Sequence, residues 1–161
     1  MKRGEIELHL IGHLQSNKVR KAIKMFDIIQ TVDSIRLAKK INTIAKENNK
    51  IQNIYIQVNS GKDPKKTGFC VEKIFENIKI ISLLENLKIK GIMTIPPNLI
   101  SQEKLRNIYK KTKIIRDEVY SNIETSCTDL SMGMTNDYNI AIEEGATHVR
   151  IGTGIFGSRK T

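Results

Sequence analysis

The stretch that decides the fold lies near the C-terminus, at Asp129–Arg159, and its sequence is DLSMGMTNDYNIAIEEGATHVRIGTGIFGSR. Its pattern predicts a strand at about Thr128–Met132, a polar turn, a short helix at about Tyr138–Glu144, and a second strand at about Thr147–Ile151. The glycines that follow both strands allow backbone N–H groups to come close to a ligand. Such groups beside the start of a helix suit a phosphate, because unpaired donors and the helix dipole both favour negative charge.

Arg150 lies in the second of these strands, between the apolar residues Val149 and Ile151. Because side chains alternate between the two faces of a strand, Arg150 points away from the face that both neighbours share. Two interpretations stay open from this pattern. Arg150 serves an enclosed site, or it is a surface arginine beside an ordinary glycine-rich turn, since short Gly-Thr-Gly sequences are common.

Upstream of this stretch, apolar strands alternate with amphipathic helices, so that the chain has six predicted strands in all. The remaining strands are predicted at about Ile6–Ile11, Ile28–Val32, Ile51–Val58 and Ile89–Ile95, and the remaining helices at about Lys18–Phe26, Ile35–Glu47, Phe69–Leu84 and Gln102–Tyr120. This alternation predicts an α/β fold with parallel strands and right-handed crossovers.

Two α/β architectures compete, an open doubly wound sheet and a (β/α) TIM-type barrel. No G-x-G-x-x-G sequence follows the first predicted strand, which weakens the dinucleotide-binding version of the open sheet. The glycine-rich loops follow the last two strands, which is where barrels recurrently bind phosphate. We therefore expect residues 1–161 to form a single, incomplete barrel domain with six of the eight βα units.

The composition limits the classes of function. The chain has 161 residues and a formal net charge of +10, but the basic residues are spread over all the helices and only 5% of residues are aromatic. This distribution argues against a nucleic-acid partner, although a basic module that binds RNA or acidic membranes stays open as an alternative. No apolar run approaches the roughly 20 residues of a membrane span.

Two cysteines and several polar residues have structural interpretations. Cys70 and Cys127 lack disulfide or metal spacing, so we expect a reduced, cytoplasmic setting with both thiols packed in the core. Asp33 and Asp137 are interpreted as caps or loop anchors. His148 is expected to point to the outer, helix-packed side of its strand.

Six segments, in order along the whole chain, resemble the pyridoxal phosphate homeostasis proteins, whose barrel is related to that of alanine racemase. The segments are HLIGHLQSNK at His9–Lys18, TVDS at Thr31–Ser34, IQVNSG at Ile56–Gly61, GIMTIPP at Gly91–Pro97, LSMGMTND at Leu130–Asp137, and VRIGTGIFG at Val149–Gly157. Each motif is modest, but six in register are specific. The resemblance implies a barrel that holds pyridoxal 5′-phosphate (PLP) at the C-terminal ends of its strands.

The resemblance also implies which residues bind PLP, in two groups. The phosphate would be held by Ser131, Gly133, Gly152 and Thr153, and the ring would be contacted by Asn59, Met132 and Arg150. His13 and Asn17 would line the mouth on the cofactor side. A guanidinium facing the pyridine nitrogen disfavours protonation of that nitrogen, so that carbanion chemistry is weak.

In the family, a lysine on an earlier strand forms a Schiff base with PLP, and this lysine is absent because residue 1 falls just before the third family strand. Lys18 and Lys62 are the nearest lysines, and each is interpreted as solvated. We therefore expect noncovalent PLP, no catalytic residue and little catalysis, in a monomer with PLP-dependent apoenzymes as possible partners. Two alternatives stay open: a remnant that no longer binds PLP covalently, and an amino-acid racemase-like PLP enzyme.

Overall fold

A computed structural model describes residues 6–98 and 100–157 of the chain. Ser158 and Arg159, at the end of the stretch quoted above, lie outside the described residues. Six parallel strands form one sheet in the order in which they occur along the chain, from β1 to β6. Their bounds are His9–Leu10 (β1), Ile28–Val32 (β2), Gln52–Gln57 (β3), Leu87–Met93 (β4), Asp129–Met134 (β5) and His148–Arg150 (β6).

Helices connect the strands and follow the last one. They are Val19–Met25 (α1), Ile35–Glu47 (α2), Ile74–Ser82 (α3), Gln102–Asn122 (α4), Tyr138–Glu143 (α5) and Thr153–Phe156 (α6), with short 3-10 turns at Ser16–Lys18 and Val71–Lys73. Two predicted N-caps are present, because the hydroxyls of Ser34 and Ser101 accept bonds from the amides of Leu37 and Lys104. None of the helices in the described ranges combines the length and apolar character needed to cross a bilayer.

The sheet separates a large core from a small one. The large core joins one face of the sheet to the helices, with Ile54 and Ile56 of β3 and Leu130 of β5 fully buried in it. On the opposite face, alternate residues form a second, smaller cluster around Tyr55 and Met93. The sheet is curled around this second face, because the ring of His9 on β1 lies 5.6 Å from the ring of His148 on β6. The architecture is therefore a curled, six-stranded half-barrel with a concave inner face.

The largest difference from the predicted elements is at β1, which has two residues where the apolar pattern predicts six. Asp27 explains the early part of this segment, since its carboxylate accepts the amide of Leu8 at 2.8 Å while its own amide donates to the Leu8 carbonyl. These bonds replace the regular ladder before His9. Ile6 and Ile11, at the ends of the predicted strand, are both nearly half exposed.

A second difference concerns the start of α3, which was predicted at Phe69. The chain first makes the 3-10 turn at Val71–Lys73, so that regular helix begins only at Ile74. Cys70 lies just before this turn and is exposed, so the prediction that it packs in the core is wrong, whereas Cys127 is buried as expected. The helix α6 was not predicted; its four residues follow directly on the last glycine-rich loop.

Candidate functional site

Arg150 ends β6 on the concave face, at the carboxyl edge of the sheet. Its guanidinium donates from Nη1 to the Ser131 hydroxyl at 2.7 Å and from Nη2 to the Thr94 carbonyl at 2.8 Å. Burial lowers the pKa of Arg150, and electrostatic attraction to Tyr109 and Asp137 opposes that effect. An arginine stays charged in a protein even so. The Ser131 hydroxyl and the Thr94 carbonyl are both neutral, so they satisfy hydrogen bonds of the guanidinium without neutralising its positive charge.

A continuous series of side-chain hydrogen bonds runs from Arg150 across the concave face to β1. The Ser131 hydroxyl donates to Gln30 Oε1 at 2.7 Å, Gln30 Nε2 lies 2.7 Å from His9 Nδ1, and His9 Nε2 lies 3.0 Å from a Glu7 carboxylate oxygen. Ser131 and Gln30 are buried. We call these five residues, Glu7, His9, Gln30, Ser131 and Arg150, the concave-face network.

The turn between β5 and α5 is built by close packing and one carboxylate. Gly133 has φ +91°, and a Cβ added to it would lie 2.5 Å from the Cβ of Ala141. Asp137 accepts the Tyr109 hydroxyl at 2.9 Å and the amide of Met134, which makes it the loop anchor predicted from the sequence. Burial, followed by the charge of Asp137, raises the pKa of Tyr109 well above its usual range, so the phenol remains a neutral donor.

The loop after β6 presents backbone amides beside Arg150. The amides of Gly152 and Gly154 donate to the Thr135 hydroxyl at 3.3 Å, which is long for such bonds. A Cβ placed at Gly152 would meet nothing within 4 Å, so open space adjoins that backbone. Thr153 is the first residue of α6, and the first amides of a helix have no partner within it.

Asn59 lies at the same edge of the sheet, after β3, but its amide group is engaged within its own loop. Nδ2 donates to the carbonyl of Asp63 at 2.7 Å, and Oδ1 accepts the amide of Asp63 at 3.0 Å. The side chain therefore closes the long loop after β3. A ligand could contact it only beside these bonds or in place of them.

A cleft of about 250 Å³ opens at the carboxyl ends of β1 and β2. His13 and Asp33 face each other across it, with Nδ1 and a carboxylate oxygen 3.4 Å apart. The lining residues include Ser16, Ser34 and Arg36, but not Asn17. His13 thus lies on the edge that also carries Arg150, in a separate depression.

Comparison with known proteins shows which family has this architecture. The profile of the alanine racemase N-terminal domain matches residues 2–160. The pyridoxal phosphate homeostasis protein of Aquifex aeolicus is 41% identical over 156 residues, which cover 97% of this chain and 68% of that protein. The chain belongs to the pyridoxal phosphate homeostasis protein family, within the alanine racemase N-terminal domain family.

Solved structures of similar proteins agree with the fold. PipY of Synechococcus elongatus without PLP superimposes with a TM-score of 0.90 at 34% identity, covering 96% of this chain and 72% of that one. The structure of PipY with PLP bound gives a TM-score of 0.86 at 32% identity, covering 95% and 71%. The chain thus spans about two thirds to three quarters of the length of these relatives, and the resemblance of the six segments is confirmed.

The structure brings together some of the residues that the family motifs single out. Ser131 and Arg150 are in direct contact, and Gly152 and Thr153 follow Arg150 in the adjoining loop. Gly133 lies in the neighbouring turn, where its close approach to α5 sets the course of the chain.

Two side chains lie elsewhere than expected. The Met132 side chain is fully buried in the core on the helix side, whereas Ser131 faces the concave side, so the structure does not group them. His148 lies on the concave face, with its ring 5.9 Å from that of Tyr55, and the prediction of an outward orientation is wrong. The reason is strand alternation, because His148 and Arg150 are two residues apart and share a face.

Sequence reasoning missed three polar groups that hold the site together. They are the buried side chain of Gln30, the carbonyl of Thr94 and the hydroxyl of Thr135. Gln30 gave a usable signal, because a glutamine between Ile28 and Val32 in a fully buried strand must find a hydrogen-bond partner. The Thr94 carbonyl gave none, since any residue carries one.

Proposed function

We propose that this chain binds PLP noncovalently and contributes to PLP homeostasis, with residues 1–161 forming a single PLP-binding domain. The family membership supports the proposal, and so does the PLP-bound structure of its relative PipY. The binding residues proposed are Asn59, Ser131, Met132, Gly133, Arg150, Gly152 and Thr153. Met132 would act through its backbone, because its side chain is buried in the large core on the helix side of the sheet.

The observation that carries the proposal is the half-buried guanidinium of Arg150 beside a glycine-rich loop. Its two hydrogen-bond partners are neutral, so its charge is available to an anionic ligand. The backbone of Gly152 adjoins open space, and its present bond to Thr135 is long enough to be exchanged. The backbone donors fit the phosphate of PLP, and the guanidinium fits the lone pair of its pyridine nitrogen.

When bound, PLP supplies an electron sink for carbanions at an amino acid. In the proposed orientation, Arg150 would donate an N–H to the pyridine nitrogen, which has a lone pair to accept it. A guanidinium cannot accept a proton and disfavours a second positive charge nearby. Arg150 therefore keeps the ring nitrogen unprotonated, which suits a protein that holds the cofactor with little turnover.

The setting of the function follows from the same proposal. We propose a cytoplasmic monomer that exchanges PLP with PLP-dependent apoenzymes, without a nucleic-acid or membrane partner. A cofactor held by hydrogen bonds and charge dissociates without a chemical step, as delivery requires. Sedimentation at several protein concentrations, with and without PLP, would test the monomer.

Equilibrium dialysis of the purified chain against PLP tests the binding itself. We expect saturable binding of one PLP per chain, weakened about tenfold or more in Arg150→Ala and Ser131→Ala. The matched control is Arg20→Ala, which removes an exposed arginine paired with Glu47 and should bind PLP as the unaltered chain does. Absence of saturable binding, or equal binding by Arg150→Ala, would contradict the proposal.

A further inference from the structure

Helix α4 carries two buried hydroxyls, those of Tyr109 and Thr112, which are three residues apart and therefore lie on the same face of the helix. The Tyr109 hydroxyl donates to a carboxylate oxygen of Asp137 at 2.9 Å, in the turn after β5. The Thr112 hydroxyl lies 2.8 Å from that of Ser60, in the loop after β3. One helix therefore holds two loops of the carboxyl edge, through one hydrogen bond each.

The phenol of Tyr109 contacts both ends of the turn formed by residues 133–137. It accepts a hydrogen bond from the backbone of Gly133, which opposes the rise that burial and the charge of Asp137 cause in the pKa of the phenol. The second carboxylate oxygen of Asp137 accepts the amide of Met134, and the Asp137 amide donates to the Met134 carbonyl. A single, fully buried side chain of α4 thus connects the first residue of the turn with the last.

Asp137 stands in the N-cap position of α5, but its side chain makes no capping bond to that helix. An aspartate in this position ordinarily accepts an amide of the first helical turn, which stabilises the helix. Here the two carboxylate oxygens accept from Tyr109 and Met134 instead. The carboxylate therefore holds the shape of the turn and leaves the helix uncapped.

This turn also forms one side of the proposed phosphate site. Gly133 is one of the residues proposed to hold the phosphate. At the tip of the turn, the Thr135 hydroxyl accepts the amides of Gly152 and Gly154 from the loop after β6. A displacement of the turn would therefore disturb the backbone donors on both sides of the site.

We propose that Tyr109 is a positioning residue, which through Asp137 holds the turn in the shape that the phosphate of PLP requires. This inference rests on the proposed function, because it concerns the same site. Tyr109 is fully buried, so it acts through the turn and not on the ligand directly. A turn that is fixed before binding needs no ordering when the phosphate arrives, so less of the interaction free energy is lost.

The ratio of the dissociation constants of pyridoxal and PLP tests this role, because the two compounds differ only in the phosphate. Equilibrium dialysis would measure the ratio for the unaltered chain and for Tyr109→Phe, in which Asp137 keeps its bond to Met134 but the turn is detached from α4. We expect Tyr109→Phe to lower the ratio about tenfold, mainly by weakening PLP. A merely structural role would weaken both compounds alike, and the unchanged ratio would overturn the proposal.

Thr112→Val is the matched control, since it removes a buried hydroxyl from the same helix face with little change in shape. Its partner Ser60 adjoins Asn59, which is proposed to contact the ring that both compounds share. We expect Thr112→Val to keep the ratio of the unaltered chain, even where it weakens both compounds. A ratio that falls as far in Thr112→Val as in Tyr109→Phe would assign the effect to α4 as a whole and overturn the specific role of Tyr109.

Hydrogen exchange in the unaltered chain covers the case in which Tyr109→Phe fails to fold. The Met134 amide, which donates to Asp137, should exchange slowly without ligand and change little when PLP is added. Rapid exchange that only PLP slows would mean that the ligand orders the turn, and the proposal would be wrong. Absence of PLP binding by the unaltered chain would contradict both proposals, whereas PLP binding with an unchanged ratio in Tyr109→Phe would contradict this one alone.

Discussion

The hydroxyl of Ser131 makes hydrogen bonds to side chains of two other strands, β2 and β6. It accepts from the Arg150 guanidinium and donates to Gln30, both at 2.7 Å, in a place without access to water. Its removal therefore leaves a buried amide oxygen and one guanidinium N–H without a partner. Unmet polar groups of this kind are costly because the desolvation penalty is no longer offset.

We expect Ser131→Ala to lower the free energy of unfolding by about 1–3 kcal/mol. Ser82→Ala is the matched control, since its hydroxyl donates to the Lys79 carbonyl on the exposed side of α3 and should change stability by less than about 0.5 kcal/mol. Urea denaturation of both variants measures the difference. Equal stabilities would mean that Gln30 and Arg150 find other partners.

The two cysteines should differ sharply in reactivity. Burial raises the pKa of the Cys127 thiol to about 12, whereas Cys70 is exposed. Since the thiolate is the nucleophile, iodoacetamide at pH 8 should modify Cys70 and leave Cys127 unmodified until the chain unfolds. Peptide mass spectrometry with and without denaturant distinguishes the two sites. Equal labelling in the folded protein would contradict the buried position of Cys127.

The same shift has a consequence for alkaline stability. An unfolded thiol ionises near pH 8.5, roughly, whereas the folded Cys127 keeps its proton to higher pH. Between these values the unfolded chain binds fewer protons than the folded one. The contribution of Cys127 is thus fully present below about pH 8.5 and is lost as the pH rises towards 12.

At the scale of single residues, the sequence predicted orientation where strand alternation was clear. Arg150 lies on the face opposite to the apolar neighbour Val149, as expected. The same alternation places His148 on the face of Arg150, and the predicted outward orientation of His148 is wrong. The role of Gln30 depends on Ser131, 101 positions away, and no local pattern contains a contact of that range.

Elements were predicted best where local chemistry marks both ends. The bounds of β2 and α2 agree with the prediction, because Ser34 caps the helix and asparagines follow it. The bounds of β1 did not, because Asp27 replaces part of its ladder from outside the segment. Boundaries set by tertiary hydrogen bonds are not visible in a local apolar pattern.

The junction of β5 and α5 depends on the absence of one side chain. Gly133 has φ +91° and lies where a Cβ would be 2.5 Å from that of Ala141. We expect Gly133→Ala to destabilise the fold by about 2 kcal/mol or more, from backbone strain and overpacking together. Gly12→Ala serves as the control, since its added Cβ meets nothing within 4 Å. Thermal unfolding compares the two, and equal midpoints would show that α5 shifts freely away from β5.

The whole molecule has the architecture that strand–helix alternation and the six segments predicted, a half-barrel of six parallel strands. Composition and order along the chain suffice for that, because parallel strands with helical crossovers have few arrangements. The degree of curling was not predictable, since it depends on side chains that meet across the concave face. His9 and His148, from the first and last strands, make the contact that reports it.

The increase in unfolding free energy on adding a ligand distinguishes specific binding of PLP from reaction of its aldehyde with surface lysines. PLP and pyridoxal both carry an aldehyde that reacts with exposed lysines, and the chain has 20 lysines. Only PLP has the phosphate that Ser131, Gly133 and the loop after β6 are proposed to hold. PLP at one hundred times its dissociation constant should raise the unfolding free energy by about 2.7 kcal/mol, or about 5–10 °C in the melting temperature.

Pyridoxal at the same concentration should produce only a small part of that shift, because it lacks the phosphate that the backbone amides would bind. The Arg150→Ala variant should respond weakly to both compounds, since it lacks the guanidinium proposed to contact the ring nitrogen that both compounds share. Differential scanning calorimetry of the unaltered chain and this variant gives all four values. If pyridoxal stabilised the chain as much as PLP does, the stabilisation would come from the aldehyde and the surface lysines, and the phosphate site proposed at β6 would have to be abandoned.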